Sequence, residues 1–201
     1  MADVVTQTVA GEALRRHIDD LARLRIRVFR EFPYLYAGTE TYERRYLDTY
    51  IAAGDAMAVL VFDGNDVVGA STGIPLANES DEFRQPFIEQ GIDPQRVFYC
   101  GESVLLPAYR GHGLYKHFFT AREACALRGG FELIAFCGVV RAPDHPLCPP
   151  DYAPLDPVWR HFGYTAHPEL VAHFAWKDID CDSETSHPMM FWLKKLHGPA
   201  R

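Results

Sequence analysis

Two short stretches carry residue types whose spacing could do chemistry. The first is LLPAYRGHGLYKHFF, Leu105–Phe119. An apolar run stops at Pro107, Arg110 follows, Gly111 and Gly113 bracket His112, and helix formers begin at Leu114. Glycine costs backbone entropy, so two of them at a helix start suggest that something approaches the main chain closely. A helix N-terminus holds unpaired N–H groups and partial positive charge. Glycines beside it would let an anion reach those donors, forming a phosphate cradle, to which Arg110 would add charge. The stretch matches neither G-x-x-x-x-G-K-[ST] nor G-x-G-x-x-G, which excludes two other phosphate loops. The alternative is that Gly111 and Gly113 only shape a strand-to-helix turn.

The second stretch is RAPDHPLCPPDYAPLDP, with six prolines in seventeen residues. Asp144, His145 and Cys148 could form a thiol-nucleophile group, or His145 and Cys148 could bind zinc with Cys137. The spacing argues against both. Zinc ligands usually come in tighter pairs, and catalytic Cys–His pairs are usually distant in sequence.

The rest of the chain must position these residues. Its 201 residues fit one domain, 1–201, better than two. With 48% hydrophobic and 13% aromatic residues, it can bury a core without staples. The net charge of −7 weighs against a general nucleic-acid binder. Five scattered cysteines without a C-x-x-C pair suggest reduced thiols, not a disulfide framework. No targeting segment or membrane-length apolar run is evident, so the expectation is a soluble, cytoplasmic protein without membrane association.

DVVTQTV reads as a first strand and EALRRHIDDLARLRIRVFREF as one helix with Leu14, Ile18, Leu21 and Val28 on its apolar face. TETYERRYLDTYIAAG is a second helix, capped by Thr39 or Thr41 and stopped at Gly54. AMAVLVFDGNDVVGASTGIPL is a hairpin turning at Asp63–Asp66. DEFRQPFIEQGI is a helix interrupted near Pro86, and RVFYCGESVLL is the next strand. LYKHFFTAREACALRG is a helix with its apolar stripe at Leu114, Phe118, Ala121 and Cys125. FELIAFCGVV suits a buried central strand. VWRHFGY is a short helix, and ELVAHFAWKDI and PMMFWLKKL are closing strands, the last a possible edge for a homodimer. This order describes an α+β fold with a central mixed, mostly antiparallel sheet of about six to seven strands flanked by helices.

The glycine stretch resembles the acyl-CoA loop of the GNAT superfamily of CoA-dependent N-acetyltransferases. That pattern is Gln or Arg, two residues, Gly, one residue, then Gly or Ala. Arg110, Gly113 and Leu114 fit it, and Tyr115 stands where the small residue belongs. VWRHFGY resembles the family's helix-plus-"GF" ending, with Tyr164 for Phe, and the element order matches over roughly residues 3 to 195. The resemblance implies an N-acetyltransferase that takes acetyl-CoA as cosubstrate, needs no metal, and acylates a small-molecule or peptide amine by direct attack in a ternary complex. It implies that the strand around Val104, Leu105 and Leu106 splays from its neighbour and pairs its backbone with the pantetheine arm, with the acyl thioester in the splay between VFYCGESVLL and FELIAFCGVV. It also implies that Arg110, Gly111, His112, Gly113, Leu114 and Tyr115 bind the pyrophosphate.

Acyl transfer to an amine requires deprotonation of the ammonium, stabilisation of an oxyanion and a proton for the leaving thiolate. Glu102, eight residues before Arg110, is the candidate base; the competing reading pairs it structurally with a basic residue. Backbone N–H groups near Leu105 would polarise the carbonyl. The family commonly places an acidic tyrosine where this chain has Trp159, which cannot deliver that proton; Tyr152 in the proline loop is the substitute candidate. Arg141, Asp144 and His145 would line the acceptor pocket. Tyr34 and Tyr36 would meet substrate from the loop between the first two helices, while Phe29, Phe32 and the other tyrosines pack the core. A non-catalytic acyl-CoA binder and a Cys148/His145 thiol hydrolase are the rival functions.

Overall fold

The computed structural model describes residues 4–197. Its framework is an eight-stranded sheet in the order β1-β2-β3-β4-β6-β8-β7, with β5 paired to β3 off that path. Strand β1 (Val4–Ala10) pairs with β2 (Met57–Asp63), which turns through Gly64 and Asn65 into β3 (Asp66–Pro75). Three helices fill the connection from β1 to β2: α1 (Glu12–Arg15), α2 (Ile18–Phe29) and α3 (Glu40–Ala52). The expected first helix is therefore two. His17 leaves helical geometry at φ −112, ψ 9, with its ring edge against Phe62. Thr39 is the cap of α3, its hydroxyl accepting from the Tyr42 N–H. Helix α4 (Asp81–Glu89) runs through Pro86 instead of breaking there. The hydrogen bond lost to proline is offset by burial of Phe87 against Phe191.

The decisive departure lies in RVFYCGESVLL. The expected single strand is β4 (Val97–Tyr99) and β5 (Ser103–Leu105), separated by Cys100–Glu102. Strand β4 runs parallel to β6 (Leu133–Val139), and Cys100 donates the last bond to it, N–H to the Ala135 carbonyl at 2.8 Å. Beyond the kink, β5 pairs only with β3, through Gly69, Ala70 and Ser71. Strands β5 and β6 thus diverge, and counting the kinked strand twice accounts for eight strands against the expected six to seven.

Helix α5 (Leu114–Arg128) and α6 (Asp156–His161) cover one face, with Phe118, Phe119, Phe98 and Trp192 at its core. Helices α2, α3 and α4 cover the other, over Leu21, Leu47, Phe87 and Phe191. α5 buries Phe118, Phe119, Arg122 and Ala126, a face rotated from the expected stripe because Arg122 points inward. The long strands β7 (Thr165–Lys177) and β8 (Glu184–Lys195) close the sheet. β8 is interior, between β6 and β7, so the expected dimer edge at PMMFWLKKL is corrected: among the described residues the outermost strands of the sheet order are β1 and β7. No helix of the described residues is long and apolar enough to cross a membrane.

Candidate active site

The glycine loop follows the end of β5, on the side where the gap between β5 and β6 has opened. Gly111 sits at φ 79 and Gly113 at φ 77, conformations that cost other L-residues roughly 1–2 kcal/mol. A Cβ at either position would meet nothing within 4 Å, so the loop faces open space. Gly113 is the N-cap of fifteen-residue α5, and Lys116 N–H bonds back to the Gly113 carbonyl at 3.2 Å. The amides of Leu114 and Tyr115, ahead of it, are the donors that a helix start leaves free. An anion fits there. His112 is exposed beside it. Arg110 is less available than its charge suggests. Its Nε donates to the Leu105 carbonyl and its Nη1 to Glu31, both at 2.9 Å.

Register decides which strand atoms face the gap. Thr72 N–H bonds to the Glu102 carbonyl, and Leu106 N–H bonds to the Val68 carbonyl. Antiparallel alternation then turns the backbone groups of Glu102, Val104 and Leu106 toward β3 and those of Ser103 and Leu105 toward the gap. Of the three strand residues expected to pair with pantetheine, only Leu105 presents its backbone there, and Arg110 already takes its carbonyl. The correction for Val104 and Leu106 follows from a period of two.

Within the gap lies a slot of about 50 Å³, with Gly101, Glu102 and Ser103 on one wall and Phe136 and Cys137 on the other. Arg122 floors it, donating to the Ser71 and Ser103 hydroxyls at 2.7 and 2.6 Å and thereby stapling α5 to β3 and β5. Tyr115, expected at the pyrophosphate, instead turns its phenol into the slot. Burial raises its pKa, while Arg122, Trp159 and Ser103 pull it back. Trp159 lies over Gly138, where a Cβ would stand 3.0 Å from the indole, and packs on Phe136 and Trp192. Burial pushes the Cys100 thiol up to about 11 and Cys137 to about 12, so neither is a thiolate at neutral pH.

A second, wider cleft of about 690 Å³ opens between α2, α3, α4 and β7. Tyr34 and Gly101 belong to both cavities, so the slot and the cleft meet at these two residues. Tyr34 and Tyr36 line the cleft, as expected of substrate contacts. Their loop is pinned hard. Tyr36 N–H bonds to the Phe29 carbonyl, Ala37 N–H to the Lys177 carbonyl, and Ile179 N–H to the Leu35 carbonyl, while Leu35 is buried at φ 54. Burial raises the Tyr34 phenol well above its ordinary value.

Two carboxylates flank the junction differently. The Glu102 side chain is fully buried and paired with Arg25, which also pairs with Glu43. The structure therefore matches the competing reading of Glu102, a residue that ties the β4–β5 kink to α2 and α3. Glu79, which precedes α4, has no cation in hydrogen-bond contact among the described residues; the Tyr50 hydroxyl donates to it at 2.8 Å. Burial raises its pKa to about 7 against the pull of that bond and of the Ser80 N–H. Tyr50 in turn meets Tyr46 at 3.1 Å.

The proline-loop candidates lie elsewhere. Tyr152 packs edge-on against Phe32, ring centroids 4.6 Å apart, and lines neither cavity. Asp144 is exposed, and His145 accepts the Leu147 N–H on Nδ1 beside Phe32. Neither reaches the cleft. Arg141 forms a bidentate pair with Asp178 and donates to the carbonyls of Pro33 at 2.7 Å and Tyr34 at 2.8 Å. It holds the loop that carries Tyr34 and is not itself in the cleft. The Cys148 thiol donates to the Pro149 carbonyl at 3.8 Å, and Cys137 is inside the sheet against Tyr99, so among the described residues the thiol and zinc groupings do not assemble.

Sequence reasoning missed Arg25, Arg122, Tyr46, Tyr50 and Glu79. Tyr46 and Tyr50 had a signal: four residues apart, they share a helix face. Buried arginines and a glutamate between a strand and a helix had none.

No protein-family model matches the chain, and no curated protein matches it in sequence. Solved structures do match along nearly the whole chain. An acetyltransferase of the GNAT family from Staphylococcus aureus Mu50 superposes with TM-score 0.58 at 9% identity, covering 96% of this chain and 100% of that one. An aminoglycoside 6'-N-acetyltransferase complexed with coenzyme A gives TM-score 0.58 at 10% identity, covering 97% and 99%. A candidate acetyltransferase from Salmonella typhimurium with acetyl-CoA bound gives 0.57 at 9% identity, covering 98% and 97%. The chain has the GNAT fold.

Proposed function

We propose that the protein is an N-acetyltransferase that moves the acetyl group of acetyl-CoA to a primary amine by direct attack in a ternary complex. The observation that carries this reading is the continuity of three parts: an open glycine cradle on α5, the slot between β5 and β6, and the cleft that meets the slot at Tyr34 and Gly101. The neighbours that hold coenzyme A or acetyl-CoA support the same cosubstrate.

The amides of Leu114 and Tyr115 and the turn at Gly111–Gly113 bind the pyrophosphate. The Leu105 N–H polarises the thioester carbonyl, because register aims it into the gap. Tyr115 takes the place of Tyr152 as the donor to the departing thiolate: it lies in the slot, and its raised pKa keeps it protonated at neutral pH. The acceptor, a small-molecule or peptide amine, enters through the cleft past Tyr36. Neither nucleic acid nor a membrane surface enters this scheme.

The test is calorimetric titration with acetyl-CoA and with CoA, with Gly113→Glu as control. Saturable binding near the micromolar range that the variant loses is the expected result. No binding by the wild type would reduce the glycine loop to a turn. A second reading has one observation in its favour, Trp159 at the position of the expected tyrosine: a non-catalytic acyl-CoA binder. Tight binding with no acetyl transfer across a broad amine panel would select it.

A further inference from the structure

Glu102 is neutralised by Arg25 before any substrate arrives. The cleft contains another acid in a different state. We infer that Glu79, working through the Tyr50 hydroxyl, is the group that takes the proton from the acceptor's ammonium, and that the cleft selects a cationic amine carried on a flat or apolar body. This rests on the acyltransferase reading above and deepens it.

The geometry is a line from the cleft floor to the junction. Glu79 lines the cleft and accepts from the Tyr50 hydroxyl at 2.8 Å. That hydroxyl sits against Gly101, where a Cβ would come within 2.0 Å of it. Gly101 belongs to both cavities, so the hydroxyl, buried and lining neither cavity itself, lies directly behind the residue at which they meet. Glycine is the residue that leaves space for it. Tyr46, one helical turn earlier, lines the cleft and hydrogen-bonds Tyr50.

The groups that face Glu79 come from every packed element: Tyr46 and Tyr50 from α3, Arg25 from α2, Glu102 from the kink, Tyr99 from β4 and Cys137 from β6. Further out in the cleft are Glu43, Glu82, Arg45 and His173. The phenols and the Cys137 thiol stay neutral at pH 7, because burial raises all of them. Arg25 is the one cation near Glu79 among the described residues, and two other carboxylates hold it. Glu79 therefore titrates near neutrality, with a pKa of about 7, where a general base is most useful.

The same inventory describes the acceptor. Rings of Phe29, Tyr34, Tyr36, Phe83 and Trp176 form the walls, and the lining carboxylates are Glu43, Glu79 and Glu82. Aromatic faces and carboxylates attract an ammonium; of the lining arginines, Arg25 is held by Glu43 and Glu102, and Arg45 is exposed further out in the cleft. The chemistry balances. Tyr50 passes its proton to Glu79 as it receives one from R–NH₃⁺. The freed amine attacks the thioester carbonyl carbon, forming C–N as C–S breaks. Tyr115 protonates the departing thiolate to CoA–SH and is restored by the second amine proton, and Glu79 returns its own to solvent.

The experiment measures acetyl transfer to 2-phenylethylamine and to L-glutamate from pH 5.5 to 9. Enzymes are wild type, Glu79→Gln, Tyr50→Phe and Glu102→Gln, with acetyl-CoA affinity measured calorimetrically for each. Expected is transfer to 2-phenylethylamine over L-glutamate and a wild-type kcat/KM that rises through about pH 7. Glu79→Gln should lower kcat roughly 10²- to 10⁴-fold and erase that limb at unchanged acetyl-CoA affinity, with a smaller loss for Tyr50→Phe. Retention of rate and limb in Glu79→Gln, or their loss only in Glu102→Gln, would overturn the assignment. So would a preference for L-glutamate, or acetyl-CoA binding with no transfer to 2-phenylethylamine. Absence of acetyl-CoA binding in the wild type would instead sink the acyltransferase reading itself.

Discussion

The two cavities that meet at Gly101 are built from different materials. The slot of about 50 Å³ and the glycine turn rest on main-chain geometry, two diverging strands and a left-handed turn before a helix start, with Tyr115, Phe119, Arg122 and Trp159 filling the slot. The cleft of about 690 Å³ is a side-chain construction, in which aromatic rings and carboxylates from three helices and a distant strand face one another. On the proposed reading, the backbone site meets what all acyl-CoA molecules share. A side-chain site can differ from one relative to the next without disturbing the sheet. The contrast extends to the acids at the junction. Glu102 is held by a guanidinium, whereas Glu79 touches only a phenol and a backbone amide, and its pKa is raised by burial.

The strongest way to break the backbone side is Gly113→Glu. It imposes a side chain at φ 77 and a negative charge at the cradle and should weaken CoA at least about 100-fold, or roughly 2.8 kcal/mol, in calorimetry. Unchanged affinity would remove the cradle from the site. On the side-chain face, Arg25→Met should be the costliest for folding. It leaves Glu43 and Glu102 buried without their partner, a loss of about 3–5 kcal/mol in urea denaturation. A loss under 1 kcal/mol would mean that these carboxylates find water.

Glu79→Gln should act in the opposite direction. The folded pKa of about 7 lies above the ordinary 4.5, so the folded state holds its proton more tightly. That stabilising contribution is complete below pH 4.5 and is lost as pH rises through 7. The loss approaches about 3 kcal/mol, and the glutamine variant does not suffer it. The variant should therefore gain stability over wild type at pH 8 and lose that gain toward pH 4.5, as followed by thermal melts. A pH-independent difference would mean that Glu79 is not titrating in the folded state. Gly101→Ala should cost about 1–3 kcal/mol, because its Cβ displaces the Tyr50 hydroxyl, and it should lower turnover more than CoA affinity. Cys148→Ser should change a CoA-dependent rate by less than about twofold, since nothing in either cavity touches it. Complete loss would revive the thiol reading.

Local signals made the backbone side readable. Gly64 and Asn65 mark a hairpin, Thr39 caps a helix, and Arg110 to Leu114 place two glycines before α5; each depends on a few neighbouring residues. Even there, the residue pattern hid the kink at Cys100–Glu102, because alternation in VFYCGESVLL reads through it; the splay of this strand was expected only from the family resemblance. Tyr34 and Tyr36 were reachable because an inter-helix loop places phenols beside the sheet. Arg141, Asp144 and His145 misled, since charge in a proline loop says nothing about where the loop lies.

From sequence alone came the element order, the mixed sheet, the candidate anion cradle at a helix start and the acyl-CoA expectation. The first three arise from short-range periodicity and backbone conformation, the last from the resemblance of the Arg110–Tyr115 stretch to a family loop. Only the tertiary structure decided which of two glutamates is paired and which is free, that a tyrosine following the glycine loop points into the slot, and that β8 is interior. Those outcomes depend on burial and on partners dozens of residues away: Arg25 and Glu102 are separated by 77 positions, Tyr50 and Glu79 by 29. A carboxylate's charge state is a property of its surroundings, and no local window of sequence contains them.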